Sequence, residues 1–155
     1  MAEYRFSIHV EAPRQRVFAL WIDLDRMGEW VGGVTRVTDV TGPVEQAGTR
    51  YTVWFGPMRS PTEVLEVEPP ERIRTRFGNW LLRGESLATF DDEGGGTRLV
   101  QVLQTQGFIS SIFGRLFSIG SSRGSFRGEL EAFGAIAERE ALTGGPATPP
   151  ARRTR

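Results

Sequence analysis

Residues 108–141 carry an apolar stripe that few folds accommodate. Phe113, Leu116, Phe117, Gly120, Phe126, Leu130, Phe133 and Ala137 recur at steps of mainly three or four, with a six-residue break after Gly120. That spacing places one apolar face along one long helix. A face with four phenylalanines needs a broad apolar partner, and the sequence before it reads mostly as strands. A curved antiparallel sheet wrapped around the helix, an α+β arrangement, meets that need.

The strands follow from alternation. Tyr4, Phe6, Ile8 and Val10 share one face, while Arg5, Ser7, His9 and Glu11 share the other. Pro13 then opens a helix, because proline at the first helical position loses no hydrogen bond. Val17, Phe18 and Trp21 form its apolar side. A second short helix follows, with Asp23 or Asp25 as cap and Met27 and Trp30 as anchors. The two helices are expected to plug one end of the sheet. Further strands are predicted over residues 34–40, 48–55, 62–68, 72–77, 80–91 and 97–105. Turn signals at 41–43, Gly56-Pro57, Pro69-Pro70-Glu71 and Gly94 to Gly96 separate most of them, which makes an antiparallel meander.

Composition narrows the function classes. A chain of 155 residues suffices for one domain, read here as 1–142. Residues 143–155, rich in Gly, Pro and Ala and closing on Arg152, Arg153 and Arg155, bury too little apolar surface to order and read as a flexible tail. The 19 basic and 19 acidic residues balance, so no basic field favours nucleic acid. The absence of cysteine excludes disulfides, thiolate metal sites and thiol catalysis, and fits a cytoplasmic setting. The charged N-terminus reads as a strand rather than a signal peptide, and no apolar run is long enough for integral membrane association. One histidine rules out a histidine-rich zinc site. Gly94 to Gly96 lacks the following lysine of a phosphate loop. No metal or cofactor is expected.

Several local features recur together: Ala12-Pro13 before Val17-Phe18, the segment from Leu24 to Trp30, Gly48 ahead of a strand, and Val67-Glu68-Pro69-Pro70 with Ile73 after it. In this order the chain resembles the START-like (SRPBCC) superfamily over residues 3–140, and most of all its polyketide cyclase/dehydrase and lipid-transport-like group. The resemblance implies the helix-grip fold: a seven-stranded curved antiparallel sheet around a long C-terminal helix, with two short helices after the first strand. It implies an apolar tunnel between sheet and helix. Members bind lipids, polyketides, hormones or other hydrophobic molecules; some catalyse cyclisation or dehydration, and some act on a partner protein. The matching motifs are structural, and no catalytic set carries over from them.

Candidate residues divide by face. Phe6, Tyr51, Val53, Phe77, Phe113, Phe117 and Phe126 read as inward, either filling the core or lining a ligand cavity. Gly120, Gly124 and Gly128, four apart, form a smooth strip for close approach of sheet or ligand, or mark a bend; Gly114 and Gly134 are further helix glycines. Gln101 lies on the face of Leu99 and Leu103, where its amide could orient a ligand or bond backbone. Arg83 and Glu85 are catalytic candidates if inward, holding a carboxylate or stabilising an enolate, with Arg98 across from them. If outward, they form a cross-strand ion pair. Trp54 is an exposed contact surface or, on reversed parity, an aromatic ligand wall. His9 should point outward, and Asp91, Asp92 and Glu93 read as a solvated turn. Three classes follow: a binding or transport domain for a hydrophobic small molecule, a cyclase/dehydratase-like enzyme, and a protein-interaction module with a filled core, its partner unknown.

Overall fold

Each alternating segment forms a strand. The computed structural model describes residues 2–80, 82–106 and 126–145. In chain order the elements are β1 (Ala2–Val10), α1 (Arg14–Trp21), a 3₁₀ turn (Leu24–Glu29), β2 (Arg36–Thr38), β3 (Arg50–Phe55), β4 (Met58–Glu68), β5 (Arg72–Gly78), β6 (Arg83–Glu93), β7 (Gly96–Gln106) and α2 (Phe126–Thr143). The seven strands form one antiparallel sheet in the order β1-β7-β6-β5-β4-β3-β2. The first strand closes on the last, and the C-terminal helix packs against the sheet: the helix-grip architecture. No helix among the described residues is long and apolar enough to cross a membrane.

Helix α2 lies along β1. A Cβ on Gly134 would stand 3.2 Å from Ile8 Cδ1 and 3.5 Å from Val10 Cγ2, so this glycine lets helix and strand approach closely. One turn of side chains closes an end of the interior. Phe133, fully buried, meets Trp21 and Trp30 edge-on with ring centroids 5.1 Å away in each case. Phe18 and Trp21 stand edge-on to buried Phe90. The anticipated helical plug is therefore present. Thr97 fixes its root by donating its hydroxyl to the Ala12 carbonyl at 2.7 Å.

Several local expectations need correction. The second short helix is a 3₁₀ turn; Asp23 stands at its cap position, but its side chain is buried and makes no capping bond. Strand β4 starts at Met58 rather than residue 62, because Gly56, in the left-handed region at φ 63°, turns the chain so tightly that Met58 pairs directly with Phe55. Strand β6 starts at Arg83 rather than residue 80, because Asn79 holds a turn: its side-chain amide donates to the Arg59 carbonyl, and its backbone N–H to Leu82. Trp80 is left exposed. Of the long helix expected over 108–141, residues 126–141 are seen; Phe113, Gly114, Phe117, Gly120 and Gly124 lie outside the described residues, as does the tail from 146.

A charged clamp joins the 3₁₀ turn to α2. Arg26 donates from both Nη atoms to the two carboxylate oxygens of Glu140 at 2.6 Å each, and from Nε and Nη2 to Glu29 at 2.7 and 3.0 Å.

Candidate ligand-binding site

Strand register sorts every sheet residue by face. Tyr4, Phe6, Ile8 and Val10 look toward α2, with Phe126 ring centroids 6.0 Å from Tyr4 and 5.9 Å from Phe6. Their cross-strand partners share that face. One row runs Phe6, Gln101, Ala88 and Ile73; the next runs Tyr4, Leu103, Ser86, Thr75 and Val64; a third runs Thr105, Gly84, Phe77, Thr62 and Tyr51. Val53, opposite Ser60, is inward too. Phe6, Tyr51, Val53, Phe77, Gln101 and Phe126 thus all belong to the interior side.

The inward face changes character along its length. Near the plug it is apolar and filled, with Phe90, Leu99, Val10 and Phe133 all inaccessible. Toward the other end aromatic groups alternate with small polar ones: Tyr51, Ser60, Thr62, Thr75, Phe77 and Ser86. A Cβ at Gly84 would run into the Gln104 carbonyl oxygen, so this position beside Phe77 accepts only glycine. Gln101 Nε2 donates to Ser86 Oγ at 3.1 Å, a side-chain partner rather than the backbone one of the core alternative. That leaves the Gln101 carbonyl oxygen without a partner among the described residues. An amide so held presents an acceptor at fixed orientation to whatever shares the interior.

Glu129 is a half-buried ionisable group that sequence reasoning missed. It lies three residues after Phe126 and four before Phe133, beside the apolar stripe, and that placement was its signal. Its Oε1 accepts the Gly32 N–H at 3.2 Å. Burial pushes its carboxyl up to about 7, with the Gly32 hydrogen bond opposing the shift.

The opposite face takes the other candidates. Arg83 is exposed, and Glu85 lies 3.5 Å from Arg76 Nη2 in a cross-strand pair. The inward option for both is corrected. Arg98 does not stand across from them; register sets it opposite Asp91, while Arg83 and Glu85 oppose Gln106 and Gln104. Trp54 is outward but not a free contact surface. Its Nε1 donates to Thr38 Oγ1 at 2.8 Å, and the Arg36 guanidinium caps its ring at 4.3 Å. A depression of about 830 Å³ crosses this outer face, and Tyr51, Thr62, Phe77 and Gly84 of the inward rows border it as well. One of its walls alternates in charge through Arg50, Glu63, Arg76 and Glu85; the other includes Pro61, Gly78 and Arg83. Opposite charges compensate along the first wall, which gives the groove no single sign with which to select a ligand. Among the described residues no cluster of His, Asp and Glu is built to hold a metal ion.

His9 and Glu93 are outward but not simply solvated. Glu93 takes two bonds from Arg98, at 2.8 and 2.7 Å, and lies 2.7 Å from His9 Nδ1; His9 Nε2 lies 2.7 Å from Glu11. The Arg98 guanidinium, helped by His9, lowers Glu93 to about 2. Glu11 and then Glu93 raise His9 above its ordinary 6.5. A raised histidine stabilises the fold most below its unfolded value and loses that contribution as pH climbs through its folded value. We expect an NMR titration of the His9 ring to give a midpoint above 6.5 that falls in Glu93→Gln. A midpoint at or below that value would show the bridge is not formed.

Comparison with known proteins places this geometry in a family. A protein-family model described as polyketide cyclase / dehydrase and lipid transport matches residues 1–138. No curated protein sequence matches. A protein from Thermobifida fusca solved in solution superposes with a TM-score of 0.68 at 18% identity, covering 90% of this chain and 95% of that one. CV1439 from Chromobacterium violaceum gives 0.64 at 17%, covering 88% and 96%. DynU16, a protein of the dynemicin biosynthetic locus, gives 0.61 at 22%, covering 94% of this chain and 49% of its own. At these identities the structures attest the fold alone, whereas the family model spans most of the chain. The chain belongs to the polyketide cyclase/dehydrase and lipid-transport family.

Proposed function

We propose that this protein binds a hydrophobic small molecule against the inward sheet face, at the end away from Phe133. One observation carries the reading: Tyr51, Val53, Phe77 and Phe6 share that face with Ser86 and the amide of Gln101 that it orients. Apolar walls with a few oriented polar groups are what such ligands require; burial supplies affinity and the polar groups set orientation. The plug region is filled, and a filled end gives a ligand something to abut.

Fluorescence titration with N-phenyl-1-naphthylamine, an uncharged aromatic probe, tests this. Tyr51→Ala and Phe77→Ala are expected to weaken binding by about tenfold each, the loss of about 1.4 kcal/mol of contact. Arg76→Ala and Glu85→Gln, on the outer face, should leave affinity unchanged. Because Tyr51 and Phe77 also border the outer depression, the outer-face pair decides: a tenfold loss in Arg76→Ala or Glu85→Gln would move the site there. A cyclase-like activity is the second reading, supported by the family description. It would need a proton-carrying group beside the same interior, and Glu129 is the described residue with that character.

A further inference from the structure

Two glutamates on one flank of α2 are held in opposite ways. Positions 129, 133 and 140 face the segment from Arg26 to Gly32, through Gly32, Trp30 and Arg26 respectively. Glu140 receives both Nη groups of Arg26. Glu129 receives one backbone N–H, and no cation among the described residues pairs with it. A carboxylate has about four acceptor positions. Half-buried next to Leu130 with one bond at 3.2 Å, the ionised form is poorly held and the neutral acid is favoured. Oε1 is oriented by Gly32, which leaves Oε2 to carry the proton. A Cβ on Gly33, the next residue and an exposed one, would stand 3.6 Å from Phe55 Cδ1 of β3, so this flank lies at the rim of the side where Val53 and Tyr51 point inward.

From this geometry we infer that Glu129 is a polar anchor of the interior, donating its carboxyl proton to an uncharged acceptor, a ketone or ester carbonyl, on a hydrophobic ligand. The inference rests on the binding reading above and narrows its ligand class. An anionic ligand would meet like charge whenever Glu129 ionises. Burial sets the carboxyl near 7, so the donor is present below neutral pH and lost above it. Among the described residues, the charged and titratable neighbours do not supply a competing switch at that spot. The facing stretch from Trp30 to Gly33 has no ionisable side chain; Arg26 and Glu29 beyond it are bonded to each other; Arg127 and Glu131 are exposed on α2; β1 and β3 bring the phenols Tyr4 and Tyr51.

The test compares two neutral naphthalene probes. Prodan carries a ketone, and its emission shifts to the red when that ketone accepts a hydrogen bond; N-phenyl-1-naphthylamine has no carbonyl. We expect the protein to bind Prodan about tenfold more weakly at pH 8.5 than at pH 6, the worth of one good hydrogen bond, with the second probe unaffected. Glu129→Gln keeps a neutral donor and should flatten the pH profile. Glu129→Leu should weaken Prodan by about tenfold at pH 6, remove the red shift and spare the second probe. If both probes bind and Prodan shows no pH dependence in the unmodified protein, the role of Glu129 is overturned while the binding reading stands. If neither probe binds, the binding reading itself fails.

Discussion

Phe133→Ala is expected to destabilise the protein by about 4 kcal/mol, in the range for truncating a buried phenylalanine. The ring is inaccessible and stands between Trp21 and Trp30, both edge-on at 5.1 Å. Removing it deletes apolar burial and two aromatic contacts at once. The cavity has little means of collapsing, because the indoles are fixed from elsewhere: Trp21 also packs on Phe90, and Trp30 belongs to a turn clamped by Arg26. Urea unfolding with an unchanged slope would read the loss as stability alone. A loss below about 1 kcal/mol would mean the plug is not the core of the domain.

The Arg26 clamp should be nearly as costly to break. Arg26→Met removes the partner of two carboxylates while keeping most of the side-chain volume. Glu140, whose side chain is 12% exposed, would be left almost buried without a counter-ion. Stranding a buried charge costs about 3–5 kcal/mol; partial exposure brings the expectation to about 3 kcal/mol. Arg26→Lys should restore only part, since an ammonium cannot make paired bonds to both carboxylates. The double variant Arg26→Met, Glu140→Met should recover most of the loss, because no charge is then stranded. Acid supplies an independent check. The Arg26 guanidinium holds Glu29 below its ordinary 4.5, so this contribution is present above that value and disappears as pH falls through the folded one. The gap between native protein and Arg26→Met should therefore narrow in acid by the share that Glu29 contributes. A gap of unchanged size there would show that the Arg26–Glu29 pair contributes nothing to it.

Much of the architecture was legible from alternation and turn chemistry. That Tyr51 and Val53 share a face follows from their strand, while its inward parity needed the register with β4; β1 declares its face through Tyr4, Phe6, Ile8 and Val10. Parity at Arg83 and Glu85 was ambiguous for a physical reason. Leu87 shares their side, and the outer face there carries half-buried Leu87 beside Val102, so hydrophobicity does not separate the two faces. Turn geometry at Gly56 and Asn79 moved strand starts by three or four residues, because it depends on backbone conformation and on a bond to Arg59. The least legible features join distant parts of the chain. Glu129 acquires its character from Gly32, 97 residues earlier, and the Arg26 clamp reaches Glu140 over 114. Neither pairing leaves a local pattern.

A structure of the protein with N-phenyl-1-naphthylamine bound tests most directly whether the interior is the binding site. The rings should lie on the inward sheet face between Tyr51, Phe77 and Gln101. Rings seated instead in the outer depression along Arg50, Arg76 and Glu85, with the inward face unoccupied, would contradict an interior site.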